Sequence, residues 1–274
     1  MRFDLHCHSE FSDGTLAPAE VVARARAAGV QVLALTDHDT TAGLAQARAA
    51  ARDQGIRLVD GVEISVTWDG TTIHMVGLQV RPGDPVLEAG LAGLRAERAR
   101  RAVEIDRRLA QAGIPGARAG AAALARGPIL SRTHFARYLV QAGHAPSLQA
   151  AFDRYLGRRG RAHVGGRWAA LEEAVGWIHA AGGQAVIAHP ARYRFGRGRL
   201  RRLLADFQAA GGDALELISG RQPPGTEARM AALAREFGLA ASLGSDYHGP
   251  EQVWLELGRL PPLPGGCRPV WRHW

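Results

Sequence analysis

The run Asp4-Leu5-His6-Cys7-His8-Ser9, followed at once by Ser12-Asp13-Gly14, decides how the rest of the chain is read. A short strand opening an α/β domain is normally filled with Val, Ile, Leu or Phe. Here two histidines stand at i and i+2. Side chains alternate across a strand, so His6 and His8 are expected on one face, roughly 6–7 Å apart along it. Two imidazoles so placed can close on one divalent ion. Asp13 lies in a polar turn from which a carboxylate can swing back toward them. A core histidine beside an exposed one would give the same HxH pattern, so the partners further along must decide.

Outward from this run, the chain alternates. Residues 2–6 predict a strand, and Pro18 opens a helix to about Ala28 with Gly29 as its stop. Val30–Thr36 is an apolar strand ending in Asp37-His38-Asp39. Thr40 or Thr41 is the expected cap of a helix through Gln54, closed by Gly55. Ile56–Val62 predicts a strand ending in Glu63. Ile64–Trp68 and Thr71–Leu78 flank the hairpin signal Asp69-Gly70, with His74 in the second arm. Residues 82–167 then read as helical throughout: a long Arg/Ala/Glu-rich helix over roughly 86–112, and shorter ones near 118–126, 131–142 and 147–156. The alternation resumes with a helix over Leu171–Ala181 and the strand Gln184–Ala188, which ends in His189-Pro190. A helix over Leu200–Ala210, the strand Ala214–Ile218 and a helix over Thr226–Phe237 follow. The last strand, Leu239–Leu243, runs into Gly244-Ser245-Asp246-Tyr247-His248.

About seven strands alternating with helices predict parallel strands in a barrel-like α/β fold, formed by residues 1–81 and 168–274. Residues 82–167 would be an inserted helical, substrate-binding subdomain. The Pro-rich, aromatic tail from Leu260 is expected to pack over the barrel bottom or a neighbouring helix.

Composition narrows the classes. No run of about 18 apolar residues is present, so no membrane span is expected. The N-terminus carries an acid and two histidines where a secretion signal needs an apolar core, and two cysteines are too few for a disulfide framework. A cytoplasmic, reducing setting fits, and no obligate protein partner is indicated. The net charge of +8 points to an anionic substrate or nucleic acid. All 34 basic residues are Arg, and the chain lacks Lys and Asn. Arg, Ala and Gly codons are GC-rich, so the placement of arginines carries more information than their number. No phosphate-binding glycine loop, dinucleotide fingerprint or Ser-His-Asp elbow is present.

In such barrels, polar residues at the C-terminal strand ends form the active site. Those residues are His6, His8, Asp13, His38, Glu63, His74, His189, Asp246 and His248, drawn from at least six segments. Imidazole with carboxylate suits Mn²⁺, Zn²⁺ or Fe²⁺ better than Ca²⁺ or Mg²⁺. Nine donors exceed the needs of one ion. Two or three divalent ions sharing a carboxylate would use them. His179, on a helix face, and His144 and His163, in loops, read as structural or exposed.

Asp-Leu-His-Cys-His-Ser with Ser-Asp-Gly, Thr-Asp-His-Asp, Gly-Val-Glu-Ile-Ser, Ala-His-Pro and Gly-Ser-Asp-Tyr-His, in this order from residue 4 to 248, resemble the PHP family of metal-dependent phosphoesterases. The resemblance implies a distorted (βα)7, TIM-like barrel with a trinuclear site, Mn²⁺ being the expected metal. It implies that His6, His8, Glu63 and Asp246 hold one ion, that Glu63 bridges to a second held by His74 and His189, and that Asp13, His38 and His248 hold a third.

The insert carries Arg95, Arg98 and Arg101 at i, i+3, i+6, with Arg100 alongside, on one helix face. A solvated stripe paired with Glu97 and Glu104 is the alternative. Ser131-Arg132-Thr133-His134 places a cap, a cation and an imidazole at a helix N-terminus, which favours phosphate; a purely capping His134 is the alternative there. An Arg stripe followed by Ser-Arg-Thr-His-Phe-Ala-Arg is similar to PHP proteins acting on 3′,5′-nucleoside bisphosphates, relatives of which also trim RNA 5′ ends. That similarity implies removal of the 3′-phosphate from pAp, giving AMP and phosphate, with Asp13, His38, Arg98, Arg101, Arg132, Thr133 and His134 against a small nucleotide or short RNA. Asp13, His134 or a metal-bound water are the candidate proton donors to the leaving oxygen. The competing expectations are another phosphate monoester such as histidinol phosphate, a nucleic-acid-binding PHP module without catalysis, and a C–N amidohydrolase. The last would usually place a carboxylated Lys in its site, and this chain has none.

Overall fold

The computed structural model describes residues 1–274. Seven strands follow one another in space in chain order: β1 Phe3–Asp4, β2 Val32–Leu35, β3 Arg57–Trp68, β4 Thr71–Leu78, β5 Gln184–Ile187, β6 Ala214–Ser219 and β7 Ala240–Gly244. The ring closes because the Leu5 N–H donates to the Leu243 carbonyl at 3.1 Å and the His8 N–H to the Tyr247 carbonyl at 2.9 Å. The result is a nearly closed seven-stranded α/β barrel, as expected. Leu5, Val32, Ala34, Val59, Val76, Val186 and Ala214 fill its interior, and the intervening residues of the strands face the helices.

Helices α1 Pro18–Ala27 and α2 Leu44–Gln54 cover β1 and β2. Pro18 occupies the first helical turn of α1, and Gly55 closes α2 at φ 63°, a left-handed position that favours glycine. Between β4 and β5 run α3 Pro85–Gln111, α4 Ala117–Leu124, α5 Arg132–Gln141 and α6 Leu148–Ala151, the last continuing into a π-turn over Phe152–Leu156. From Ala102 to Val164 these elements bury their own apolar cluster around Ile105, Leu109, Phe135, Leu139 and Leu156. Helices α7 Leu171–Ala180, α8 Arg197–Ala209 and α9 Thr226–Glu236 complete the outer layer.

Four expectations need correction. The strands are not all parallel, because β4 runs antiparallel to both β3 and β5. The Asp69-Gly70 turn is the cause: both residues have positive φ (46° and 68°), as a tight hairpin demands, and a hairpin reverses the chain. Second, Ile56–Val62 and Ile64–Trp68 are one strand, so Glu63 lies within β3 and not at a strand end. Third, β1 stops at Asp4, leaving His6 and His8 on extended chain held by a bridge from Cys7 to Tyr247. Helix α2 also begins later than expected, since Thr41 Oγ1 donates to Glu88 and the chain turns through Asp39 at φ 51°.

The tail does close the barrel bottom. Pro269 bridges to Ala241, Val270 joins the interior, and Trp271 stacks on Phe3 with ring centroids 4.1 Å apart. Trp271→Ala is expected to destabilise the fold by about 1–3 kcal/mol in urea unfolding, while leaving metal content unchanged. An unaltered unfolding midpoint would show that the tail rests on the barrel without closing it.

Candidate metal centre

Glu63 is in phase with Val59 on β3, so its side chain points into the barrel. The antiparallel pairing sets Ser65 opposite His74, which makes Glu63 and His74 diagonal neighbours on the same face. Five imidazoles surround the Glu63 carboxylate: His6 at 3.4 Å, His8 at 3.3 Å, His38 at 2.9 Å, His74 at 3.1 Å and His189 at 3.0 Å. Asp246 lies 3.2 Å from His8 and 3.5 Å from His6. Asp13 lies 3.3 Å from His248 and 3.8 Å from His38. All nine residues named from the sequence therefore meet at one barrel mouth.

Their donor atoms fall into groups within 4.8 Å: His6, His8, Glu63 and Asp246; His8, Asp13, His38 and His248; and His38, Glu63 and His74. The first group coincides with the one the family resemblance implies. The other two differ from it, in that His8 and His38 each stand at the meeting of two groups and His189 joins through Glu63 alone.

The residues fit divalent cations. Asp13 Oδ1, His38 Nδ1 and Glu63 Oε2 are buried without a hydrogen-bond partner, which native interiors seldom tolerate. His38 Nδ1 and Glu63 Oε2 are 2.9 Å apart yet share no aligned hydrogen bond. Charge balance agrees. Burial resists charge on His6 and His8, but Glu63, Glu216 and Asp246 raise His6 well above its usual range, and hydrogen bonds to Asp246 and Glu63 carry His8 to about 10. Burial alone would push Glu63 upward, yet His38, His6 and His74 hold it well below the usual carboxylate range. Burial lowers both His38 and His189. Acids that draw protons onto two ligands so strongly would equally hold metal cations, whose binding displaces those protons.

Further carboxylates fix this arrangement, and the sequence reading assigned them no role. Glu216 on β6 receives the His6 Nδ1–H at 3.0 Å and the His189 backbone N–H at 2.6 Å. Asp37 accepts from the Ser9 N–H and from the hydroxyls of Ser9 and Ser12, pinning the loop that presents Asp13. Asp39 accepts from the Ser65 N–H at 2.8 Å and from Arg98 Nε at 2.6 Å. Asp4 accepts from the N–H groups of Ser245 and Gly258, and burial pushes it up to about 6. Three of the five non-glycine residues with positive φ are Asp39, His189 and Asp246, so backbone strain gathers at this mouth. A lone Glu in the apolar strand Ala214-Leu215-Glu216-Leu217-Ile218 is the signal that would have revealed Glu216. Arg192, which pairs with Asp246, and Tyr193, whose hydroxyl accepts the His74 N–H at 2.8 Å, gave no comparable signal.

Beside the cluster opens a polar cavity of about 250 Å³ lined by Arg98, Arg101, Arg132, Thr133, Phe152 and Trp168, among others. Arg98 and Arg101 are buried on the expected face of α3, whereas Arg100 turns outward to Glu97 and Arg95 reaches the Asp39 carbonyl and Glu88. The solvated-stripe reading thus holds for Arg100 and fails for Arg98 and Arg101. Arg98 is bound by Asp39 and Ser65. Arg101 donates only to the Val164 carbonyl, and the Arg132 side chain has neither a hydrogen bond nor an ion pair. Burial, with Arg132 and Arg98 nearby, lowers Arg101 to about 9.

His134 does not line this cavity. It is buried, and its Nδ1 accepts the Ser131 N–H at 3.1 Å, so the capping alternative is the one realised. Burial lowers it to about 4. Asp13 accepts from the hydroxyls of Ser131 and Thr133, tying the start of α5 to the cluster of candidate metal ligands; burial opposes its charge, but His248 and His38 keep it ionised.

Barrel, shared carboxylate and imidazole cluster define a metal-dependent hydrolase. Residues 4–89 match the PHP domain model. The chain is 47% identical to the 3′,5′-nucleoside bisphosphate phosphatase of Chromobacterium violaceum over 271 residues, covering 98% of this chain and 95% of that one. It is 48% identical to the 5′-3′ exoribonuclease of Haemophilus influenzae, with 98% of both chains covered. A solved Chromobacterium violaceum structure, described as an amidohydrolase with bound sulfate and no metal, matches with a TM-score of 0.95 and 47% identity, covering 99% of this chain and 95% of that one. The chain belongs to the PHP family. No helix is long and apolar enough to cross a membrane.

Elemental analysis should find at least two fewer ions bound to Glu63→Ala than to the unaltered protein, and Glu216→Gln should weaken metal affinity about 10–100-fold. Unchanged metal content in Glu63→Ala would remove this residue from the bridge. His134 has a folded pKa depressed from about 6.5, so the unfolded chain alone takes up its proton as pH falls. Stability is therefore lost between pH 6.5 and about 4, by up to about 3 kcal/mol at the lower end. Urea unfolding at pH 7 and 4.5 should show a smaller acid loss for His134→Gln; an equal loss would mean that other groups take up the proton.

Proposed function

We propose that this chain hydrolyses the 3′-phosphate of 3′,5′-nucleoside bisphosphates, converting pAp to AMP and phosphate, and removes 5′ nucleotides from short RNA at the same site. The supporting observation is the pair Arg101 and Arg132, two guanidiniums without a carboxylate partner that line the cavity beside the metal ligands. A cation pair left uncompensated and partly buried is costly unless an anion completes it. The names of the two relatives supply the substrate class.

Two or three divalent ions, Mn²⁺ by the family resemblance, would supply Lewis-acid charge and a nucleophile available near neutral pH. His6, His8, Glu63 and Asp246 would hold one, with His38, His74 and His189 and the Asp13–His248 pair serving the others. Arg101 and Arg132 grip the non-reacting 5′-phosphate, their planar forks matching its oxygens. Arg98, fixed by Asp39, shapes the wall behind it. Thr133 orients Asp13. Phe152 and Trp168 lie beneath the guanidiniums of Arg132 and Arg101 at 5.8 and 5.4 Å, which holds both forks toward the cavity. Neither Asp13 nor His134 suits the role of proton donor to the leaving oxygen: one is held ionised and the other is buried behind its cap.

Without a phosphate partner for Arg101 and Arg132, the histidinol phosphate reading gains nothing from the site, and the absence of Lys disfavours C–N hydrolysis by a carboxylated lysine. Phosphate release from pAp, 3′-AMP and histidinol phosphate tests the assignment. The unaltered enzyme should prefer pAp over 3′-AMP, and Arg101→Ala or Arg132→Ala should each cost about 10–100-fold on pAp with little effect on 3′-AMP. A preference for the 5′-phosphate that survives both substitutions, or faster turnover of histidinol phosphate, would overturn it.

A further inference from the structure

A second opening leaves the metal centre. Arg192, Asp246 and His248 line both it and the cavity that holds Arg101 and Arg132. This groove, of about 370 Å³, runs between the segment after β6 and the loop after β7, past Arg221, Gln252 and Trp254. Arg221, Trp254 and Leu255 also line an outer hollow of about 500 Å³, so the two cavities adjoin on the side away from the centre. Trp254 is 61% exposed, an unusual state for the largest apolar side chain, and it belongs to none of the apolar clusters that stabilise the fold. Arg221 is exposed and makes neither an ion pair nor a side-chain hydrogen bond.

The chemistry says what such a path would carry. In both proposed reactions water adds to phosphorus, the O3′–P bond breaks, and O3′ leaves with a proton. With a bisphosphate, the phosphorus departs as inorganic phosphate. With RNA, it remains as the 5′-phosphate of the shortened chain. The substrates differ only in the nucleotide attached to phosphorus through its O5′. That nucleotide cannot lie on the Arg101–Arg132 side, where the first nucleotide places its own 5′-phosphate. It has to leave the centre elsewhere, and the second groove starts at the same three residues.

Resting on the function assigned above, we propose that this groove binds the nucleotide on the 3′ side of the scissile phosphate in single-stranded RNA, with Trp254 stacking on its base and Arg221 meeting its 3′-phosphate. An indole face accepts any base, and a guanidinium beside it takes the backbone charge, the pairing by which single strands are held without sequence preference. The outer hollow carries both signs of charge, Glu227 beside Arg259, so the proposal is confined to the one nucleotide that Trp254 and Arg221 can reach.

Equilibrium binding of pAp and of a 5′-phosphorylated RNA trinucleotide to the metal-free full-length protein, which does not turn them over, separates this proposal from the catalytic assignment. The trinucleotide should bind more tightly than pAp. Trp254→Ala should raise its Kd about tenfold and Trp254→Phe should restore it, while Arg221→Ala weakens it in a salt-dependent way. The Kd for pAp should stay within about twofold in all three variants. Equal affinity for the two ligands in the unaltered protein, or a Trp254→Ala effect shared by pAp, would overturn the track. Lack of turnover of pAp by the metal-loaded unaltered enzyme would instead overturn the function assigned above and leave the binding comparison readable.

Discussion

A single buried carboxylate, Glu63, faces five imidazole rings within 3.4 Å. Taking an acid out of water is expensive unless positive charge comes with it. Here the compensation comes from β4 and from the segments that follow β1, β2 and β5, so all of these must arrive for the charge to be satisfied. The barrel is thus more than a scaffold for the centre. Its closure at Leu5–Leu243 and at the Cys7–Tyr247 bridge brings His6 and His8 to Asp246. The strained turns at Asp39, His189 and Asp246 are where the fold gives way to that requirement.

Much of this was legible in the residues because metal chemistry leaves dense marks. Histidines and acids at the ends of apolar runs are costly to place by accident, and nine of them in one chain point to one place. What the sequence obscured were features set by pairing between strands. Asp69-Gly70 announced a hairpin, but its consequence, an antiparallel β4 within a set expected to be parallel, depends on β5 accepting the reversed strand. Glu63 reads as a strand end, but Gly61, Val62 and Glu63 are mid-strand, Gly61 packing where a Cβ would lie 2.7 Å from Thr36. Glu216 stood out among apolar neighbours, but only tertiary contact shows that it meets His6 and His189 at once.

Arginine was the harder residue to interpret, since a chain whose basic residues are all Arg gives each of them little weight. Spacing alone set Arg95, Arg98, Arg100 and Arg101 near one face. Burial and partners sort them: Arg100 to a surface pair, Arg98 to a structural tie with Asp39, Arg101 to an uncompensated position over Trp168. The same criterion explains His134. A histidine at a helix start looks functional in a linear motif, yet here its ring closes the helix N-terminus on itself.

The division between two apolar cores gives this arrangement its logic. The barrel interior and the helices on it position the candidate ligands, and the first half of α3 packs with them through Leu87, Leu91 and Leu94, while the cluster from Ala102 to Val164 holds α5 through Phe135 and Leu139. Two hydrogen bonds from Ser131 and Thr133 to Asp13 join them. Arg98 to Asp39, Thr41 to Glu88 and Arg137 to Glu251 add further ties, so α3 and α5 are held against the barrel mouth at several points. Arg101 itself lies over Trp168 of the barrel-side core, so the cation side of the cavity draws on both. Changes in the insert's core could redirect which anion is gripped while leaving the barrel intact, provided the contact at Asp13 is kept.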